Sequence, residues 1–179
     1  MIDLLYYTFK QTIPAAYSLL PGQMNTREAT AMMLATGLHE SAFKARVQGR
    51  MRPLKTLDDL NPQAGPARGY WQFERAGGVA EILESPDTKD IAIPICKMFL
   101  FDPNRQAVHT ALGFNDVLAA VFARLLLWRD PRPMPTPLEY NKGYSIYLRN
   151  WRPNPDAAAA HAKDWPKNFN IAWNTVKGT

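Results

Sequence analysis

The stretch GLHESAFKARVQ, residues 37–48, sets a carboxylate, Glu40, among apolar neighbours. Ala29, Met33, Thr36, Glu40 and Phe43 recur at intervals of 4, 3, 4 and 3 residues. That spacing is one stripe of a helix, and its composition makes it the inward stripe. An anion there is disfavoured twice, by desolvation and by the negative end of the helix dipole. A carboxylic acid still protonated near neutral pH can hand its proton to a leaving oxygen, so the position suits a general acid. The competing reading is structural: Glu40 at the edge of the stripe, paired with Lys44, Arg46 or a backbone amide.

A second cluster lies downstream in GPARGYWQFE, residues 65–74. Gly65 and Gly69 allow tight turns and close approach of a ligand to the backbone. Tyr70 and Trp71 offer flat apolar faces, and Gln72 offers an amide that both donates and accepts. A sugar asks for that mixture: C–H faces against an aromatic ring and an amide for its hydroxyl and N-acetyl groups. The competing reading is a turn entering a core segment, with Trp71 and Phe73 buried and Gln72 exposed.

The elements that must carry these residues read as helices, with poor strand signals. Residues 1–20 read as one or two short helices interrupted at Pro14 and closed by Pro21-Gly22. Asn25 is the expected N-cap of the Glu40 helix, with Glu28 as its capping-box partner and the helix running to about Phe43. Residues 46–69, rich in Gly, Pro, Arg and Asn, read as a long loop, with room for a small hairpin. Helices are expected around residues 78–84 and 91–101. The segment FNDVLAAVFARLLLWRDP is the clearest element: Asn115 caps it, Phe114 can staple it, and Asp130-Pro131 stops it. It is apolar on nearly every side and therefore expected to be enclosed by protein. RPMPTP, residues 132–137, reads as an extended connector, followed by helices near 138–150, 156–164 and 166–176. Tyr140, Tyr144, Tyr147 and Trp151 form one stripe of the first of these. The fold class is mostly α.

The 179 residues suit a single domain, at 46% hydrophobic and 21% charged, with a core that needs no staples. One cysteine, Cys96, excludes an internal disulfide and a Cys-based zinc cluster. HESAF lacks the second histidine of a zinc-protease helix, and no metal or other cofactor is expected. The net charge of +5 is compatible with a polyanionic partner, although no nucleic-acid fold signature accompanies it. MIDLLYYTFK has no basic n-region or cleavage site of a secretory signal, and no apolar run reaches membrane-span length.

Taken together, Glu40-Ser41-Ala42-Phe43 at a helix end, followed some thirty residues later by Gly65/Gly69-Tyr70-Trp71-Gln72-Phe73, resemble the lytic transglycosylases and goose-type lysozymes of the lysozyme-like superfamily. RGYWQFERAGGV and YSIYLRNWRPN look most like the phage-encoded members, and the resemblance spans roughly residues 25–152. It implies a lysozyme-like helical domain, with the helix after Asn115 as its buried centre. It implies cleavage of the β-1,4 bond after N-acetylmuramic acid in peptidoglycan, with Glu40 as acid and then base. Ser41 would orient the sugar, Gly69, Tyr70 and Gln72 would bind it, and Tyr147 would assist. The family's Ala-Tyr-Asn-Ala-Gly segment is missing from the central-helix region, which reads LAAVFARLLLW, so Tyr147 is assigned on its helix stripe alone.

A transglycosylase needs no second acid, because the sugar's own C6 hydroxyl attacks. A hydrolytic muramidase needs one. Glu74 is the best placed for it by sequence, ahead of Asp58, Asp59 and Glu81. A third expectation, from outside enzymes, is a non-catalytic virion or wall-binding protein of the same fold. The resemblance further implies a monomer made in the host cytoplasm. It would reach the wall after holin-type release, as an endolysin, or as part of the virion.

Overall fold

A computed structural model of the chain describes residues 4–47 and 66–177. The architecture is mostly α. Helical turns run unbroken from α1 (Leu4–Tyr7) through a π turn (Thr8–Thr12) into α2 (Ile13–Tyr17). The interruption expected at Pro14 is not there. Pro14 sits in the first turn of α2, directly after the π turn, where the change of hydrogen-bond register accommodates a residue with no N–H.

Helix α3 (Arg27–Ser41) is capped by Thr26, whose hydroxyl accepts from the Ala29 amide at 3.1 Å. The cap is therefore one residue later than the expected Asn25, and Glu28 falls out of capping-box register. Every residue from Ala29 to Gly37 is buried. The helix is thus enclosed on all sides rather than along one stripe, lying against α10 (Trp165–Lys177) and α7 (Asp116–Trp128). Its last turn emerges from the core and carries the half-buried Glu40.

The helix ends because Ala42 and Phe43 both take left-handed backbone, at φ 50° and 55°. The Ala42 amide closes the turn on Leu38 O at 3.0 Å. This reversal folds the Phe43 ring back over Gly37, where an added Cβ would lie 2.3 Å from the ring. Only glycine fits beneath that ring.

The hairpin is short: its first strand falls at the end of the 46–69 stretch in which room for it was expected, and its second lies just beyond. β1 (Ala67–Arg68) pairs antiparallel with β2 (Phe73–Glu74), and Val47 bridges Arg68. Residues 48–65, with Gly65, Asp58 and Asp59, lie outside the described residues. A π turn (Arg75–Val79) leads into α4 (Ala80–Glu84), then α5 (Lys89–Met98) with Pro94 inside it. Helix α6 (Arg105–Leu112), which the sequence reading passed over, is capped by Asn104.

Asn115 caps α7 as expected, accepting from Leu118 N at 2.9 Å. Phe114 is half exposed and lies against Phe101 (ring centroids 5.9 Å apart), where a staple to the helix had been expected. Leu118–Leu127 are all buried, so α7 forms the centre of the core. Helices α8 (Tyr140–Trp151) and α9 (Pro155–His161) follow the extended connector and precede α10. No single helix among the described residues is long and apolar enough to cross a membrane.

Candidate functional site

Two indoles fix the distance between α3 and α8. Trp71, fully buried, donates through Nε1 to Met33 O on α3 at 2.8 Å. Its own carbonyl accepts from Trp151 Nε1 on α8 at 2.8 Å. Ser41 adds a third tie: its hydroxyl donates to Tyr70 O at 2.8 Å and accepts from the Phe43 amide at 3.1 Å. The 69–72 turn is thereby bolted between the end of α3 and the end of α8.

That frame brings Tyr147 onto Glu40. The phenol donates to Glu40 Oε1 at 2.6 Å. Tyr147 is buried and held between rings, 5.8 Å from Tyr144, 6.3 Å from Trp151 and 5.2 Å from Trp165, all near-stacked or tilted on it. Burial and the nearby carboxylate push its pKa well up, so it remains a donor.

Glu40 itself is pushed up to about 7. Loss of hydration is the main cause and the charge of Glu74 adds to it, while the Tyr147 hydrogen bond opposes both. The cations named as its structural partners do not reach it. Arg46 forms a bidentate pair with Asp116 (2.9 and 2.7 Å) and stacks on Tyr70 at 4.3 Å. Among the described residues no basic side chain pairs with Glu40. An inward carboxylate without a cation is placed to be a proton donor near neutrality.

Glu40 opens on a cleft of about 420 Å³. Gln72, Glu74, Tyr147, Trp151, Arg152 and His39 are among the side chains lining it. Gln72 has left-handed backbone, φ 49°, and its Nε2 donates to Gly69 O at 2.8 Å, which fixes the amide and leaves its carbonyl for other partners. Arg152, also left-handed at φ 46°, pairs with Glu81. Of the five non-glycine residues with left-handed backbone among the described residues, Gln72 and Arg152 line this cleft, Ala42 and Phe43 end the helix that carries Glu40, and Leu100 lies elsewhere. Such conformations persist where the surrounding structure over-determines them, commonly at functional sites.

Ser41, Gly69 and Tyr70 do not line the cleft. Ser41 spends its hydroxyl on backbone, and Tyr70 is buried against Phe43 and Arg46. Gly69, at φ 73°, passes so close to Leu112 that an added Cβ would lie 2.7 Å from its carbonyl oxygen. These three hold the frame, where contact with a sugar had been expected. Of the other acids, Glu74 is exposed on the cleft and Glu81 is paired with Arg129 and Arg152.

His39 is one of several cleft residues that sequence reasoning missed, with Asn150, Arg152 and His161. Its ring sits edge-on to Tyr147 (4.9 Å), Trp165 (5.3 Å), Tyr144 (6.2 Å) and His161 (6.4 Å). Burial first, then His161, pull its pKa down to about 4 against the opposing pull of Asp164. Its neighbour in sequence was the only signal available. Among the described residues no group of three or more His, Cys, Asp or Glu is arranged to hold a metal. Compared with known proteins, the chain matches no family, no curated protein and no solved structure.

Proposed function

We propose that this protein cleaves the glycan strands of peptidoglycan at the β-1,4 bond after N-acetylmuramic acid, as a lytic transglycosylase. The observation that carries the reading is Glu40: a carboxyl half protonated near pH 7, unpaired with any cation among the described residues, opening on a cleft and held by Tyr147. The motif order Glu-Ser-x-Phe and Gly-aromatic-x-Gln supplies the substrate class.

In this mechanism Glu40 gives its proton to the glycosidic oxygen as the C1–O bond breaks, and the sugar passes through an oxocarbenium-like state. The Tyr147 hydroxyl then stabilises the carboxylate that Glu40 has become. The substrate's C6 hydroxyl attacks C1, Glu40 takes back the hydroxyl proton, and a 1,6-anhydro ring leaves. Gln72 and Trp151 offer the amide and the ring face that a sugar needs at the cleft wall.

A second reading, hydrolysis by a muramidase, is favoured by one feature: Glu74 lines the same cleft and could position water. Mass analysis of digested, purified peptidoglycan separates the two. Products lighter by one water and lacking a reducing end support the transglycosylase. Reducing-end muropeptides alone reject it in favour of the muramidase. No product of either kind from the folded protein would reject both and leave a wall-binding or virion protein.

A further inference from the structure

The ring of Tyr147 lies in a stack. It makes 19° with Tyr144, 25° with Trp165 and 21° with Trp151, at centroid distances of 5.8, 5.2 and 6.3 Å. Near-parallel neighbours stop a ring from tilting, but an offset stack tolerates sliding within the ring plane. The three neighbours are stopped from sliding by their polar ends. Tyr144 donates to Ala158 O at 2.9 Å, Trp165 to Tyr140 O at 2.9 Å and Trp151 to Trp71 O at 2.8 Å. The polar end of Tyr147 is tied to Glu40 instead, a side chain that changes charge during the proposed reaction.

His39 supplies what the stack lacks. Its ring stands at 80° to Tyr147, 79° to Tyr144 and 81° to Trp165, with centroids 4.9, 6.2 and 5.3 Å away. One flat ring thus stands across all three. Among the described residues it is the one ring set crosswise to Tyr147. It is itself held from two sides. Its backbone belongs to the last turn of α3, and the Asn168 amide of α10 lies 3.4 Å from its Nδ1. Burial, against the pull of Asp164, keeps the imidazole uncharged near neutrality, so it adds no cation that would hold Glu40 as an anion.

From this crossed arrangement we propose that His39 is a positioning residue, whose ring stops Tyr147 from sliding in its plane and keeps the phenol hydroxyl in register with Glu40 Oε1. The inference rests on the reading of Glu40 as the acid of the cleft. It gives one turn of α3 two tasks: to carry the acid and to brace the acid's partner.

The test compares His39→Leu, which fills the space without a flat ring, with His39→Phe, which keeps the ring and loses both nitrogens. The pH midpoint of the Glu40 carboxyl is read by ¹³C NMR on the full chain, and kcat and KM are measured on purified peptidoglycan. His39→Leu should weaken the Tyr147 hydrogen bond, the influence that lowers the Glu40 pKa. The midpoint should rise by about one pH unit, as losing a hydrogen bond of ordinary strength gives. The same loss should lower kcat about tenfold with KM little changed. His39→Phe should stay near wild type in both readings. In a Tyr147→Phe background His39→Leu should move the midpoint no further, because the hydroxyl it braces is gone. An unmoved or lowered midpoint in His39→Leu overturns the inference. So does an equal shift in the Tyr147→Phe background, or a His39→Phe protein that behaves like His39→Leu. The midpoint is read without substrate: a wild type that leaves peptidoglycan uncut would reject the proposed activity, and the midpoints would still decide the role of His39.

Discussion

The Tyr147 hydroxyl lies 2.6 Å from Glu40 Oε1, joining residues 107 positions apart in the chain. No local rule brings them together. The pair exists because Trp71 is hydrogen-bonded to α3 on one side and to α8 on the other. A short bond from a neutral donor lets one carboxyl serve both states: it favours the anion, while burial favours the acid. The outcome is a group near its midpoint at neutral pH.

Glu40→Gln should therefore leave the fold intact and remove activity. The amide keeps the shape and can still accept from Tyr147, but it cannot release a proton. General acid catalysis contributes about 10²–10⁴-fold, so turnover on purified peptidoglycan should fall by at least that range. A variant that clears walls near the wild-type rate would show that Glu40 is structural.

Tyr147→Phe should do something different. Removing the donor removes the one influence that lowers the Glu40 pKa, so that pKa rises. The alkaline limb of the kcat/KM profile should move to higher pH while the rate falls. A lower rate with the limb unmoved would mean that Tyr147 serves packing alone.

Most of the helices (α6 excepted), the enclosed α7 and the position of Glu40 near a helix end were legible because they rest on local patterns: apolar runs, Asn115 before Asp116, and the 4-3-4-3 spacing. Tyr147 was found from the stripe it shares with Tyr144 and Trp151. What the sequence hid was tertiary. Ser41 and Tyr70 have the residue types of sugar ligands, yet a hydroxyl bonded to a carbonyl at 2.8 Å and a ring packed between Phe43 and Arg46 belong to the frame. Their sequence is the same in either role. The Thr26 cap was missed because Asn25 and Thr26 are both good caps and adjacent, and only backbone geometry chooses between them. His39 was overlooked because its significance comes from rings on α8, α9 and α10, contributed by chain far downstream.

Leu125→Ala should cost about 2–5 kcal/mol, the usual range for emptying a fully enclosed leucine site. Leu125 is 0% exposed in the middle of α7. Urea unfolding measures the difference. A loss under about half a kcal/mol, ordinary for a surface position, would place α7 at the surface.

The last prediction uses the opposite titrations of two adjacent residues. Glu40 is raised from 4.5 to about 7, so between those values the folded state holds a proton that the unfolded chain has lost. Its stability contribution is complete below pH 4.5 and is lost as pH rises through 7. His39 is lowered from 6.5 to about 4, so between those values the unfolded chain holds the extra proton. Its contribution is complete above pH 6.5 and is lost as pH falls through 4. From pH 4.5 to 6.5 the two slopes oppose each other. Each is bounded by about 1.4 kcal/mol per pH unit for a whole proton, and is smaller here because both side chains are only partly buried. Wild-type stability should be nearly level over this window as far as these two groups decide it. Glu40→Gln leaves the histidine slope, so its stability relative to wild type should rise with pH. His39→Phe leaves the carboxyl slope, and its relative stability should fall with pH. Denaturant midpoints measured at half-unit steps read both differences. Parallel wild-type and variant curves would mean that neither group titrates as its surroundings require.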